Sequence, residues 1–301
     1  MSFDAKKLRK QESRMQELTN FFDVKEREER RRSAKALVGL YFDLVKVLAP
    51  PVFIEVGARD ASVSFRARKV LPSARIVAFE ASPHNVELYK RKFDFVENRI
   101  EYEQLAIADH SGELLFYVPR SIDGVEVPRA NGLNSLLKRS DTNAVYDELK
   151  VKAVTLDDFF SSPIPKDCCV WIDVEGATGK VIAGGQQVLR QTQVLMIEVE
   201  DSPVWQAQWL VGDVYEFLSN LGLIPIARDF QWWPDNYNVV CVRHDLRGRG
   251  DVSFEIDRFY SKVCRRSSMN EKLRTFGQRL LRATRKPRDV VQRIVRMQRD
   301  H

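Results

Sequence analysis

Cysteine is scarce: four residues in 301, none in the C-x-x-C spacing of a zinc site. Cys168 and Cys169 are adjacent, and with Cys241 they fall in apparent strands. That pattern excludes a disulfide framework and reads as buried free thiols of a reducing compartment. No apolar run approaches the ~18 residues of a membrane span. The N-terminus, MSFDAKKLRKQ, lacks an apolar signal core, so a cytoplasmic protein is expected rather than one exported through a cleaved signal. Glycine is missing where a dinucleotide enzyme needs it. Gly57, Ala58, Arg59, Asp60, Ala61 and Ser62 follow the first apolar run, with one glycine where G-x-G-x-x-G has three. This disfavours a pyrophosphate-bearing NAD or FAD and the oxidoreductases that use them. The acids and histidines have no metal-ligand spacing along the chain, so no metal is expected. There is no internal repeat.

What is present is an ordinary globular composition, 44% hydrophobic and 30% charged, with an uneven charge. Residues 1–50 hold 12 Lys/Arg against 8 Asp/Glu, and residues 245–301 hold 16 against 7. The net charge of the whole chain is +6, so the middle is mildly acidic and the two ends are basic. A nucleic-acid partner is not expected of an acidic core.

The chain divides into a charged helical arm over 1–49, a central domain over 50–244 and a basic extension over 245–301. Residues 4–35 have the mixed charges of a solvated helix, and Leu37 to Leu48 is an apolar helical stretch ended by Pro50 and Pro51. In the centre, strands are expected near 52–57, 75–80, 99–105, 168–174, 193–199, 223–228 and 237–243. Helices are expected near 62–70, 84–94, 179–190 and 211–221. This alternation predicts a doubly wound, Rossmann-like α/β domain with a mainly parallel seven-stranded sheet. The loop DFQWWPDNY is too short for a helical crossover, so the last strand should be antiparallel. Residues 110–160 interrupt the alternation with two short strands, 113–118 and 151–155, a Gly/Pro/Asn-rich loop and a helix near 138–149. This insertion reads as a cover over the substrate side. Met269, Leu273, Phe276, Leu280 and Leu281, then Val290, Val291, Ile294 and Val295, recur at helical spacing among arginines. Such helices suit docking on their own core, a homo-oligomer contact or an anionic membrane surface.

Four apolar runs end in acids or glycine: PVFIEVGARDAS at 51–62, RIVAFEASP at 75–83, VWIDVEGA at 170–177 and VLMIEVE at 194–200. Buried parallel strands look this way when their C-terminal ends open onto a ligand. Gly57 lets the backbone approach that ligand. Glu80 ends the second strand about 20 residues on, where a carboxylate holds a ribose diol. Glu55 and Asp60 would favour a ligand with cationic groups, such as S-adenosylmethionine. Asp173 and Glu175 follow the fourth strand, where a carboxylate can take a proton from an acceptor hydroxyl or hold the acceptor in line. Glu198 ends the fifth strand with an acceptor-orienting role open to it, and Glu200 reads as solvated. His84, His110, His244 and His301 read as bland.

The ordered set IEVGARDA (54–61), AFEASP (78–83), LAIADHSGELLFYV (105–118), NSL (134–136), VTLDDF (154–159) and IDVEGA (172–177) resembles the FkbM-type methyltransferases. These are a branch of the class I S-adenosylmethionine-dependent enzymes. The resemblance covers about residues 50–243. It implies S-adenosyl-L-methionine as cofactor and methyl transfer to an oxygen, on a saccharide, glycolipid or other natural product. It implies cofactor contacts from Glu55, Gly57, Ala58, Glu80, Ala81 and Asp109, and catalytic roles for Asp173 and Glu175. The alternative is a non-catalytic S-adenosylmethionine-binding or scaffold protein whose basic arms recruit biosynthetic partners.

Overall fold

The structure is a computed structural model that describes Met15 and residues 17–264. Two compact units divide it, Met1–Asp257 and Arg258–His301. Of the second, residues 258–264 are described, and they are helical. The amphipathic stretch expected from Met269 to Val295 lies outside the described residues, as do residues 4–14 and 16 of the charged stretch 4–35.

The first unit is built on a sheet of seven strands. These are β1 (Val52–Val56), β2 (Arg75–Phe79), β3 (Ile100–Glu103), β8 (Cys168–Ile172), β9 (Thr192–Glu200), β10 (Leu223–Arg228) and β11 (Asn236–Arg243). Their spatial order is β10-β11-β9-β8-β1-β2-β3. Neighbours are parallel except β11, which is antiparallel to both β9 and β10. The sequence periodicity dictates this. All five residues of β8 and all nine of β9 are buried, as strands covered on both faces must be.

Strand alternation sorts the two faces. Phe53 and Trp171 meet Tyr41 of helix α1 (Arg27–Leu48) in edge-on ring contacts. Ile54, Val56, Val170 and Ile172 join the opposite core. That core includes residues of α5 (Thr178–Ala183), α6 (Gln186–Arg190) and α7 (Val211–Asn220). Two further helices, α2 (Ser62–Val70) and α3 (Pro83–Lys92), follow β1 and β2. In α3 the chain supplies Pro83 at the first turn and Ser82 as cap, its Oγ accepting from Asn85 N at 3.4 Å.

Three expected elements differ. Residues 27–35 of the charged stretch join the apolar stretch in one 22-residue helix, α1, while Leu18–Asn20 form a separate 3-10 turn and residues 21–26 are not helical. The helix expected over 179–190 is two, α5 and α6, split at Gly184 and Gly185. A Cβ on Gly184 would overlap the carbonyl of Ala108, so close packing of this turn requires glycine. The helix expected near 138–149 is absent. Residues Ala144–Val154 form strand β7 instead, antiparallel to β5 (Gly112–Ile122) from Gly112↔Ala153 to Ile122↔Ala144. The charges of YDELKVK suit a helix locally. Leu149, Val151 and Ala153, however, alternate onto a small apolar core with Phe116 and Val118, and cross-strand pairing overrides local propensity. With β4 (Ala106–Ile107) and β6 (Val125–Glu126) these strands make a second sheet in the order β4-β7-β5-β6. The helix α4 (Leu156–Phe159) follows β7.

Candidate active site

In an open parallel sheet, ligands bind where the chain reverses direction across the sheet, outside the strands' C-terminal ends. Here that point is the C-terminal end of β1, with β2 on one side and β8 on the other. A cavity opens there to solvent, lined by residues from the ends of β1, β2 and β8.

The first wall is the turn after β1. Gly57 has φ +83°, and a Cβ on it would overlap the carbonyl of Asp173. No other residue type lets β1 and β8 approach this closely at their ends. The N–H groups of Gly57 and Ala58 both donate to the Phe79 carbonyl, at 3.0 and 2.8 Å. Arg59 is also left-handed, at φ 46°, and its carbonyl accepts from the Tyr102 hydroxyl.

Glu80 closes the second wall. One carboxylate oxygen accepts from Arg59 N and the other from Ser82 N, both at 2.7 Å. These two bonds fix the plane of the carboxylate and leave one lone pair on each oxygen. Burial raises its pKa above the usual carboxylate range, and the two N–H bonds work against that rise. Asn85 stands beside it. Its Nδ2 donates to the Asn131 carbonyl at 2.9 Å, while its Oδ1 is buried with no partner.

The third wall is the loop between β6 and β7, which contributes Asn131, Gly132, Asn134, Ser135 and Leu136. The Asn131 side chain braces it, donating to Pro128 O and accepting from Leu133 N, each at 2.6 Å. Ser135 exchanges backbone bonds with Tyr117 of β5, and its Oγ donates to the Glu175 carbonyl at 2.6 Å. The insertion therefore does flank the cavity, and it is tied to the acidic turn opposite.

That turn follows β8. Asp173 N donates to Val56 O at 3.0 Å, and Glu175 (φ 49°) and Gly176 (φ 78°) are both left-handed. A Cβ on Gly176 would overlap the Trp205 ring. Burial pushes the Glu175 carboxyl up to about 8, reinforced by the charge of Asp173 and opposed by that of Arg139. Asp173 is raised by burial as well. At about 8, the Glu175 carboxyl titrates in the range useful to an acid or base.

The expected site residues thus separate. Gly57, Glu80, Ala81, Asp173 and Glu175 line one cavity. Ala58 is buried in the turn behind it. Glu55 points away, because strand alternation puts it on the α1–α2 face with Phe53. It accepts from Ser64 N at 2.8 Å and from the Ser64 hydroxyl, and so fastens α2 to β1. Asp109 lies outside the cavity lining, bonded to Lys180 Nζ at 3.2 Å and His110 Nδ1 at 2.9 Å. Burial favours its neutral form, but these partners prevail and hold its pKa low. Glu200, expected to be solvated, is buried at 2% exposure, where β9 runs on past the end of β8 and stays paired with β11 to its last residue. Residue-type reasoning did not pick out Asn85, Asn131, Asn134 or Ser135. The segment NSL at 134–136 and the Ser-Pro cap at 82–83 were the signals that bore on them.

The profile of the methyltransferase FkbM domain matches residues 55–224. A 2-O-methyltransferase, NoeI of Sinorhizobium fredii (strain NBRC 101917 / NGR234), is 24% identical over 181 residues, covering 58% of this chain and 73% of that protein. Among solved structures, magnesium protoporphyrin IX methyltransferase (ChlM) of Synechocystis PCC 6803 with bound SAM is similar at 10% identity and a TM-score of 0.41, over 73% of this chain and 83% of that one. The precorrin-6y C5,15-methyltransferase of Geobacter metallireducens GS-15 is similar at 14% identity and a TM-score of 0.36, over 72% and 88%.

Proposed function

The chain belongs to the methyltransferase FkbM domain family, and on that premise we propose that it moves a methyl group from S-adenosylmethionine to a hydroxyl oxygen of a saccharide, a glycolipid or another natural product. The relative named a 2-O-methyltransferase supports oxygen as the acceptor atom. One observation carries the reading: a strand-end carboxylate, Glu80, faces two acids, Asp173 and Glu175, across a single cavity behind a glycine turn.

The residues present fit the donor. Two adjacent ribose hydroxyls match the two oxygens of Glu80, whose orientation Arg59 N and Ser82 N already hold. The buried Oδ1 atoms of Asn85 and Asn134 have no partner in the protein and can accept from a ligand N–H or O–H. Gly57 lets the ends of β1 and β8 close together at the cavity, where a Cβ would overlap the Asp173 carbonyl. When bound, S-adenosylmethionine supplies an electrophilic methyl group on a cationic sulfur.

The protein's own work is alignment and proton removal. Asp173 and Glu175 accept or hold the acceptor's hydroxyl proton. Arg139 acts on Glu175 from the side and limits how far its pKa rises. Ser135 and Asn131 keep the loop against the cavity and exclude water from that side.

Glu80→Ala should weaken binding of S-adenosylmethionine or its demethylated product by about a hundredfold, the loss of two charge-assisted hydrogen bonds. Calorimetry reads this directly. Unchanged affinity removes Glu80 from the donor site and contradicts the reading.

A further inference from the structure

The spacing of acids along the chain hides a cluster that the sheet assembles. Strands β8 and β9 are parallel neighbours, so the segments at their ends share one place: Asp173 and Glu175 after β8, Glu198 and Glu200 at the end of β9. One carboxylate oxygen from each of Asp173, Glu175 and Glu198 lies within 4.8 Å of the others.

This group is short of compensation. Glu198 Oε1 accepts from Asn236 Nδ2 at 3.0 Å, but its Oε2 is buried without a partner. Glu200 is a separate witness. It is 2% exposed, one of its oxygens is buried with no partner, and it interacts electrostatically with both Asp173 and Glu175. The guanidinium that acts on Glu175 belongs to Arg139, and it already holds Asp141 through two bonds of 2.9 and 2.7 Å. Unpaired carboxylates out of water are costly, and four together need a positive charge or several protons. Asp173 and Glu198 are close enough to share one proton between them, while one divalent ion engages all three carboxylates at once.

We propose that Asp173, Glu175 and Glu198 form a binding site for a hard divalent cation of the magnesium or manganese class, with Glu200 contributing negative charge from behind. An all-carboxylate set selects such ions over zinc or copper. Glu198 anchors from the buried side. Asp173 and Glu175 face the cavity, so the remaining coordination positions open into it. There the ion would hold an acceptor oxygen and make its proton easier to remove. That role rests on the methyltransferase reading; ion binding itself does not.

The test titrates chelator-treated, full-length protein with Mn²⁺ in the absence of donor. Free Mn²⁺ is followed by paramagnetic resonance, and thermal melting is recorded in parallel. The expected result is one Mn²⁺ per chain with a rise in Tm. Glu198→Gln and Asp173→Asn should each weaken that binding by at least about tenfold, while Glu97→Gln on the far surface leaves it unchanged. The metal-free melting curve of each variant shows whether it folds, and Glu175→Gln carries the same comparison if one does not. No uptake by the wild type, or equal affinity in wild type and the folded variants, overturns the proposal. Calorimetry of the donor in chelator separates the two readings. Donor binding without Mn²⁺ uptake sinks the cation site alone, and Mn²⁺ uptake without donor binding sinks the methyl-transfer reading alone.

Discussion

At the scale of single residues, two glutamates near the end of β1 and β2 show how environment divides identical chemistry. Glu80 is held by two backbone N–H groups and faces the cavity. Glu55 is buried against Ser64, and burial pushes its carboxyl from 4.5 up to about 8 despite the Ser64 bonds. Its folded-state pKa therefore lies above its unfolded value. The protonated form favours folding, fully so below about 4.5, and that stability is lost as pH climbs toward about 8. Glu55→Gln keeps an oxygen for Ser64 N and cannot ionise. Relative to wild type, the variant should gain stability between those two pH values, by on the order of a few kcal/mol at the alkaline end. Denaturant unfolding across the pH range checks this. Parallel pH profiles for the two proteins would mean that Glu55 is not held neutral.

At the scale of elements, α1 is joined to the sheet by more than apolar contact. Tyr41 packs edge-on against Phe53 and Trp171, and its hydroxyl donates to the Val170 carbonyl at 2.9 Å in a fully buried position. Tyr41→Phe keeps the ring and deletes the bond, so the denaturation midpoint should fall by the equivalent of about 1 kcal/mol with an unchanged slope. No change in midpoint would show that the hydroxyl does not stabilise this contact. The elements also show what a sequence can and cannot disclose. The sheet strands were legible because β1, β2, β8 and β9 are buried on both faces and read as unbroken apolar runs. Of strand β7 only the end, within the expected 151–155, was legible; its first part was not, since it alternates toward solvent with helix-forming charges and its partner β5 is distant in sequence. The same limit applies to the site. Gly57, Glu80, Asp173 and Glu175 could be found as strand ends one at a time. The meeting of Glu198 with Asp173 depends on the lateral order of β8 and β9, which no spacing encodes. Glu55 was misjudged in direction for a related reason: its neighbours in the chain face the ligand, but alternation turns its side chain to the other face.

At the scale of the molecule, the parts agree. The acidic core carries the cavity at its topological switch point, the inserted hairpin flanks it, and α1 backs the sheet on the opposite face from α5 to α7. Among the described residues no helix is long and apolar enough to cross a membrane. The central claim is that one cavity between β1, β2 and β8 receives the methyl donor. The most direct measurement is a crystal structure of the protein soaked with S-adenosylhomocysteine at millimolar concentration. The account predicts density against Gly57, with the ribose hydroxyls on the Glu80 carboxylate and the sulfur directed toward Asp173. Density at another surface, or none at that concentration, would contradict it.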